Sequence, residues 1–212
     1  MDFFLYINPV IIGGRCDKII DALDSINELF LNLQSDADSC FQLLSRVFGK
    51  SNPVDLRGLT FEILDATTMA SLHGAYTHSS PDGSEKIYLN ADWLDRVDEE
   101  ALQSVLLEEI GHALDYRLNG RRDTPGDEGA VFSALVRGLE IPALELNQDD
   151  SHTLNINGQK IFVEAAAPIL NPSASPSLLT ITEDTGIPTG VVGTLVSVLI
   201  DSGGSLNNYS DS

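Results

Sequence analysis

The chain has 212 residues, 42% of them hydrophobic, enough for one domain of ordinary size and something small beside it. Its 12 basic and 32 acidic residues leave a net charge of −20, which repels phosphate backbones and disfavours nucleic-acid binding. No apolar run approaches the eighteen or so residues of a membrane span.

The opening Met1-Asp2-Phe3-Phe4-Leu5-Tyr6-Ile7 carries an Asp where a secretory signal wants Lys or Arg, so export would need another route. The acidity suits a soluble surface, and it also suits divalent-cation chemistry. Cys16 and Cys40 match no metal spacing and are equally compatible with a disulfide or free core thiols.

Residues 1–50 read as helical. Ile19, Ile20, Leu23, Ile26, Phe30 and Leu33 recur at helical spacing between Asp17 and Leu33. Asp38 can cap a second helix that carries Phe41, Leu44, Val47 and Phe48 and stops at Gly49. These stripes predict core or partner packing and no chemistry.

Ser51-Asn52-Pro53 interrupts the chain, and Leu59 to Leu64 then alternates as a strand. Asp65 can cap a short helix. Ala75 to His78 and Lys86 to Asn90 flank the turn residues Pro81-Asp82-Gly83 and predict a hairpin. Asp95 or Asp98 opens a long helix that ends at Asn119-Gly120. After the loop 121–127, Glu128 begins another helix. Asn157-Gly158 between two β-prone runs is a strong hairpin signal. Ala165 to Pro176 is Ala-, Pro- and Ser-rich, as linkers are. The last 35 or so residues are β-rich and stop mid-pattern, too few strands to stand alone, so a longer parent chain is expected.

Chemistry concentrates on the long helix. Glu108 and His112 are four apart and Glu109 and His112 three apart, so all three can share one side. Two helical ligands at this spacing, a neighbouring base and a third ligand from elsewhere are what a hydrolytic metal site requires. Glu108 and His112 are the expected ligands and Glu109 the expected base. Glu128 is the expected third ligand, with Asp127 in reserve. Asp115 could support His112 from behind. Tyr116, Tyr76, His73 and His78 could stabilise an oxyanion, although packing is the commoner use of such residues. The helical Gly111 costs about 1 kcal/mol relative to alanine and predicts the close approach of another backbone.

Glu109-Ile110-Gly111-His112-Ala113-Leu114-Asp115, followed by Asp127-Glu128-Gly129-Ala130-Val131-Phe132-Ser133-Ala134, resembles gluzincin-type metallopeptidases of the lethal-factor-like group. In that group the helix reads His-Glu-x-Gly-His-Ala-x-Asp, and here Glu108 replaces the first His. The resemblance covers roughly residues 59–140. It implies an α+β domain at 51–165, a small mixed sheet packed on an active-site helix and a second ligand-bearing helix. It also implies an edge strand at Ile87 to Asn90 that aligns a peptide or protein substrate. Thr182-Glu183-Asp184-Thr185-Gly186-Ile187-Pro188-Thr189-Gly190 resembles the opening of cadherin-like or immunoglobulin-like repeats of large secreted bacterial proteins. Similar modules stand ahead of adhesive or hemolysin-type repeats, which implies a secreted or cell-surface location. The expected organisation is a helical segment at 1–50, the peptidase-like domain at 51–165, a linker at 166–177 and a partial all-β repeat at 178–212.

The substitution has a calculable consequence. A His-His-Glu site holding Zn²⁺ has formal charge +1, and a Glu-His-Glu site has formal charge 0. The neutral site is a weaker Lewis acid, so the pKa of its water should exceed the value of about 7 usual for catalytic zinc. Zinc is the first expectation, and the added carboxylate opens the site to Mn²⁺, Fe²⁺ or Ca²⁺. The competing expectation is an inactive peptidase-like module used for binding or adhesion. A di-iron bundle needs a second Glu-x-x-His and two more helical Glu, which the chain lacks. Neither a Gly-x-Ser-x-Gly elbow nor a Gly-rich phosphate loop is present.

Overall fold

The computed structural model describes residues 5–14, 16–122, 124–141, 150–166, 169–170 and 209–210. Residues Met1–Ala167 together with Ser212 form one compact unit, and Pro168–Asp211 form a second.

The first unit is mixed α/β with a six-stranded sheet, in agreement with the α+β expectation. β1 (Val10–Ile12) is followed by α1 (Cys16–Gln34) and α2 (Ala37–Phe48). β2 (Thr60–Leu64), α3 (Ala66–Met69), β3 (Gly74–Thr77), β4 (Lys86–Asn90) and α4 (Ala91–Leu94) come next. Then come α5 (Glu99–Asn119), α6 (Glu128–Val136) and the hairpin β5 (Ser151–Ile156) and β6 (Gln159–Glu164). The sheet order is β1-β2-β4-β3-β6-β5. β1, β2 and β4 run parallel, while β3, β6 and β5 are added antiparallel.

Local chemistry sets these boundaries. Asp36 accepts from the Asp38 backbone N–H and caps α2, which ends at Gly49 in the left-handed region. Asp65 accepts from Thr68 N, Asp98 from Ala101 N and Asp127 from Ala130 N, so three further helices open on an aspartate. Asn157 and Gly158 both take positive φ, the requirement of a two-residue hairpin turn.

Alternation along the strands makes two apolar layers. Phe61, Tyr76, Ile87 and Leu89 face the helices and join Ile26, Phe30, Leu44, Val105, Ile110 and Phe132. Ala75 and Tyr88 face the other way and pack with Met69, Leu72, Leu154, Ile156, Ile161 and Val163. The hairpin therefore has its own apolar anchorage. α5 is buried on every side from Leu106 to Asp115, as expected of a helix through the middle of a domain. Phe132 carries α6 against α1 and α2, its ring centroid 6.2 Å from that of Phe30 and 5.7 Å from that of Phe48.

Three expectations are corrected. Asp36, two residues earlier than the expected Asp38, caps α2. Ile87 to Asn90 is not an edge strand: β4 lies between β2 and β3, because β2 pairs parallel with its open side. Residues 1–50 are not a separate helical segment either. They contribute β1 to the sheet, and α1 and α2 to the same core as α5. Cys40 is a buried free thiol in that core. In the second unit, β7 (Ile169–Leu170) pairs antiparallel with β8 (Tyr209–Ser210). The expected linker after Ala166 and the rest of the expected repeat lie outside the described residues. Among the described residues, no helix is long and apolar enough to cross a membrane.

Candidate metal centre

The centre is built where α5 and α6 touch. A Cβ on Gly111 would lie 2.7 Å from Gly129 Cα, and one on Gly129 would lie 2.6 Å from the Glu108 carbonyl oxygen and 2.5 Å from His112 Cε1. Two glycines thus let the backbones meet, as Gly111 foretold. Ser133 Oγ donates to the Ser104 carbonyl at 2.9 Å and closes the same interface one turn away.

This contact sets the start of α6 against the middle of α5. His112 is fully buried, and its Nδ1 lies 3.0 Å from Glu128 Oε1. Two groups of three ligand atoms close to within 4.8 Å of one another: Glu108, His112 and Asp127, and His112, Glu128 and Glu164. The expected ligands Glu108 and Glu128 thus both neighbour His112 but fall in different groups, and the reserve residue Asp127 joins Glu108. Asp150 Oδ2 lies 3.4 Å from His112 Nε2, and Glu164 Oε2 lies 3.6 Å from Nδ1.

The expected base, Glu109, is also fully buried. Its Oε1 accepts the Ala166 backbone N–H at 2.9 Å. Gly74 of β3 packs so closely that an added Cβ would stand 2.5 Å from that oxygen.

Asp115 does not support His112. Its carboxylate accepts from Asn119 Nδ2 at 2.8 Å, Thr124 Oγ1 at 2.5 Å and Thr124 N at 3.3 Å. It therefore ties the end of α5 to the loop that launches Asp127 and Glu128. Tyr116 stacks on His78, centroids 4.5 Å apart, and His73 stacks on Trp93 at 4.8 Å. Tyr76 Oη donates to Glu85 at 2.8 Å. All four residues are used in packing.

The cluster carries a strong excess of acidic groups that could hold a metal ion. Glu108, Glu109, Asp127, Glu128, Asp150 and Glu164 surround one imidazole. Burial pushes the Glu109 carboxyl up to about 8 and the Asp150 carboxyl up to about 7. Burial opposes the His112 imidazolium, yet the hydrogen bond and charge of Glu128, with Asp150 and Glu109, raise its pKa well above the usual value. Glu109 Oε2, His112 Nε2, Glu128 Oε2 and Asp150 Oδ2 are buried without a hydrogen-bond partner. Such orphaned polar atoms are costly unless something positive lies among them, so the residues present fit a divalent cation.

The cluster reaches the surface at Glu164, whose side chain is 30% exposed. That residue lines a groove of about 420 Å³ with His78, Asp115, Tyr116, Gly120, Arg121 and Phe162. Asp150 and Glu164 carried no local signal in the sequence. The one available clue was the Asn-Gly turn, whose register sets Ser151 opposite Glu164 and so brings both ends of the hairpin to one place. No family model, curated protein or solved structure matches the chain.

Proposed function

We propose that the chain is a divergent metal-dependent peptidase, with His112 as the common ligand and Glu109 as the general base. The supporting observation is the buried cluster of carboxylates that converges on His112, in which Glu109 Oε2, His112 Nε2, Glu128 Oε2 and Asp150 Oδ2 have no hydrogen-bond partner. Glu108 and Asp127 on one side, and Glu128 on the other, would hold the cation with His112. A divalent cation there supplies Lewis acidity and lowers the pKa of water.

The chain's own residues do the rest. Glu109 takes a proton from the attacking water and returns it to the departing amide nitrogen. Asp115 holds the loop that keeps Asp127 and Glu128 in place. Gly111 and Gly129 bring the two helices close enough for their side chains to share one ion.

A second reading rests on the Ala166–Glu109 hydrogen bond and on the complete burial of Glu109 and His112. A closed site of this kind also suits a module that only holds a cation. The test is peptide-library cleavage by the metal-loaded chain beside Glu109→Gln. The peptidase reading expects cleavage that this variant abolishes while metal content is kept. Metal without cleavage under any condition, or cleavage unchanged in Glu109→Gln, overturns it.

A further inference from the structure

Three contacts set one segment of the chain along β3. The His73 N–H donates to the Ala166 carbonyl at 3.1 Å, Tyr76 is in register with Glu164, and Thr77 Oγ1 donates to the Phe162 carbonyl at 2.9 Å. Residues 162–166 therefore run antiparallel to 73–77 as an extended strand. β3 is the strand against which α5 packs, because Tyr76 faces the helices and Gly74 touches Glu109.

Opposed residues of an antiparallel pair point to the same side. Glu164, opposite Tyr76, thus points to the helix side, and with it Phe162 and Ala166. There Glu164 comes to 3.6 Å from His112, and the Ala166 N–H fills one oxygen of Glu109. One strand consequently occupies both the edge beside the catalytic helix and the two side chains assigned to chemistry. Phe162, 77% exposed, stands over the groove that leads in.

We propose that the segment Phe162–Ala166 is an intramolecular occupant of the substrate-binding edge of β3, so that the described conformation is autoinhibited. The inference rests on the peptidase reading above. Glu164 takes a place in the ligand group that a water would need, and Ala166 takes one of the two oxygens of the base. The hairpin is held there by Leu154, Ile156, Ile161 and Val163 against Met69, Leu72 and Tyr88, so closure is the resting state. An extended peptide gains β3 only after this segment lifts, and its apparent affinity is reduced by the fraction of molecules that are open.

The test uses the full chain loaded with Mn²⁺ or Zn²⁺, and a fluorescent extended peptide ending in a hydroxamate, which chelates metal. Val163→Asp weakens the hairpin's apolar anchorage. Thr77→Val, a milder variant, removes only the bond to Phe162 O, and it is read should Val163→Asp fail to fold. Hydrogen exchange at the Ala166 amide reports whether the segment has lifted. The expected result is faster exchange at Ala166, unchanged metal stoichiometry and probe binding tighter by about tenfold or more. Faster exchange with metal retained and probe affinity unchanged overturns the inference and leaves the metal centre intact. Absence of metal from the wild type and the variants removes both the inference and the reading beneath it.

Discussion

Replacing Gly111 by alanine opposes two effects of known size. A glycine in a helix interior costs about 1 kcal/mol relative to alanine, so at an open helical position the exchange stabilises. At Gly111 the new methyl would stand 2.7 Å from Gly129 Cα, 3.2 Å from Gly129 O and 3.2 Å from Phe132 Cβ. The closest neighbour is backbone and cannot rotate away. α6 must move, and overpacking of this kind costs typically 1–3 kcal/mol, with the rigid contact placing it at the upper end. The net loss is about 2 kcal/mol, which lowers the melting temperature of a unit of this size by roughly 4–8 °C. Thermal unfolding followed by circular dichroism measures it, with Gly14→Ala as the control because nothing lies within 4 Å of its added Cβ. A Gly111→Ala chain that melts higher than wild type would refute the close helix contact and the site built on it.

The pH dependence should reverse with metal. Glu109 and Asp150 have pKa values raised to about 8 and about 7, so between their ordinary values and these the folded state binds more protons than the unfolded one. His112 adds to this with its own raised pKa, its contribution complete below the ordinary histidine value and lost as pH rises from there through the raised one. In a chelator the chain should therefore lose stability steadily as pH rises from about 4.5 to about 8. A saturating divalent cation should turn that slope upward, because it competes with the same protons. Urea titrations at several pH values, with and without Mn²⁺, check both slopes, and identical slopes would contradict the assignment. Asp115→Ala leaves the Thr124 N–H and hydroxyl without their acceptor, while Asn119 Nδ2 keeps the Phe48 carbonyl, and should cost about 1–3 kcal/mol. It should also weaken metal binding, measured by calorimetry, because the loop before Asp127 and Glu128 is released; unchanged affinity would separate Asp115 from the site.

Much of this arrangement is legible in the chain, for identifiable reasons. The helix N-caps Asp65 and Asp98 and the stops at Gly49 and Gly120 are local chemistry, and the structure uses each of them. The Asn157-Gly158 turn is local as well. Long-range pairing is not. Nothing in Val10-Ile11-Ile12 says that it joins β2 in parallel, and nothing in Ile87 to Asn90 says that β2 covers one side of it. At the site, Glu108, Glu109 and His112 are linked by helical spacing, and Gly111 marks the closest approach. Asp150 and Glu164 reach His112 only through the register of a hairpin docked on β3, a tertiary fact. Asp115 shows the converse. Its spacing from His112 invited a supporting role, whereas the loop through Thr124 folds back and claims its carboxylate.

The central proposal is that His112, with Glu108, Asp127 and Glu128 around it, holds a divalent cation. Elemental analysis of the purified chain, dialysed against buffer with trace Mn²⁺ and Zn²⁺, tests it most directly when set beside His112→Ala, which removes the residue common to both ligand groups. The account predicts about one tightly held ion per wild-type chain and its loss in the variant. A folded wild-type chain that retains no stoichiometric metal, or a His112→Ala chain that retains as much, would contradict it.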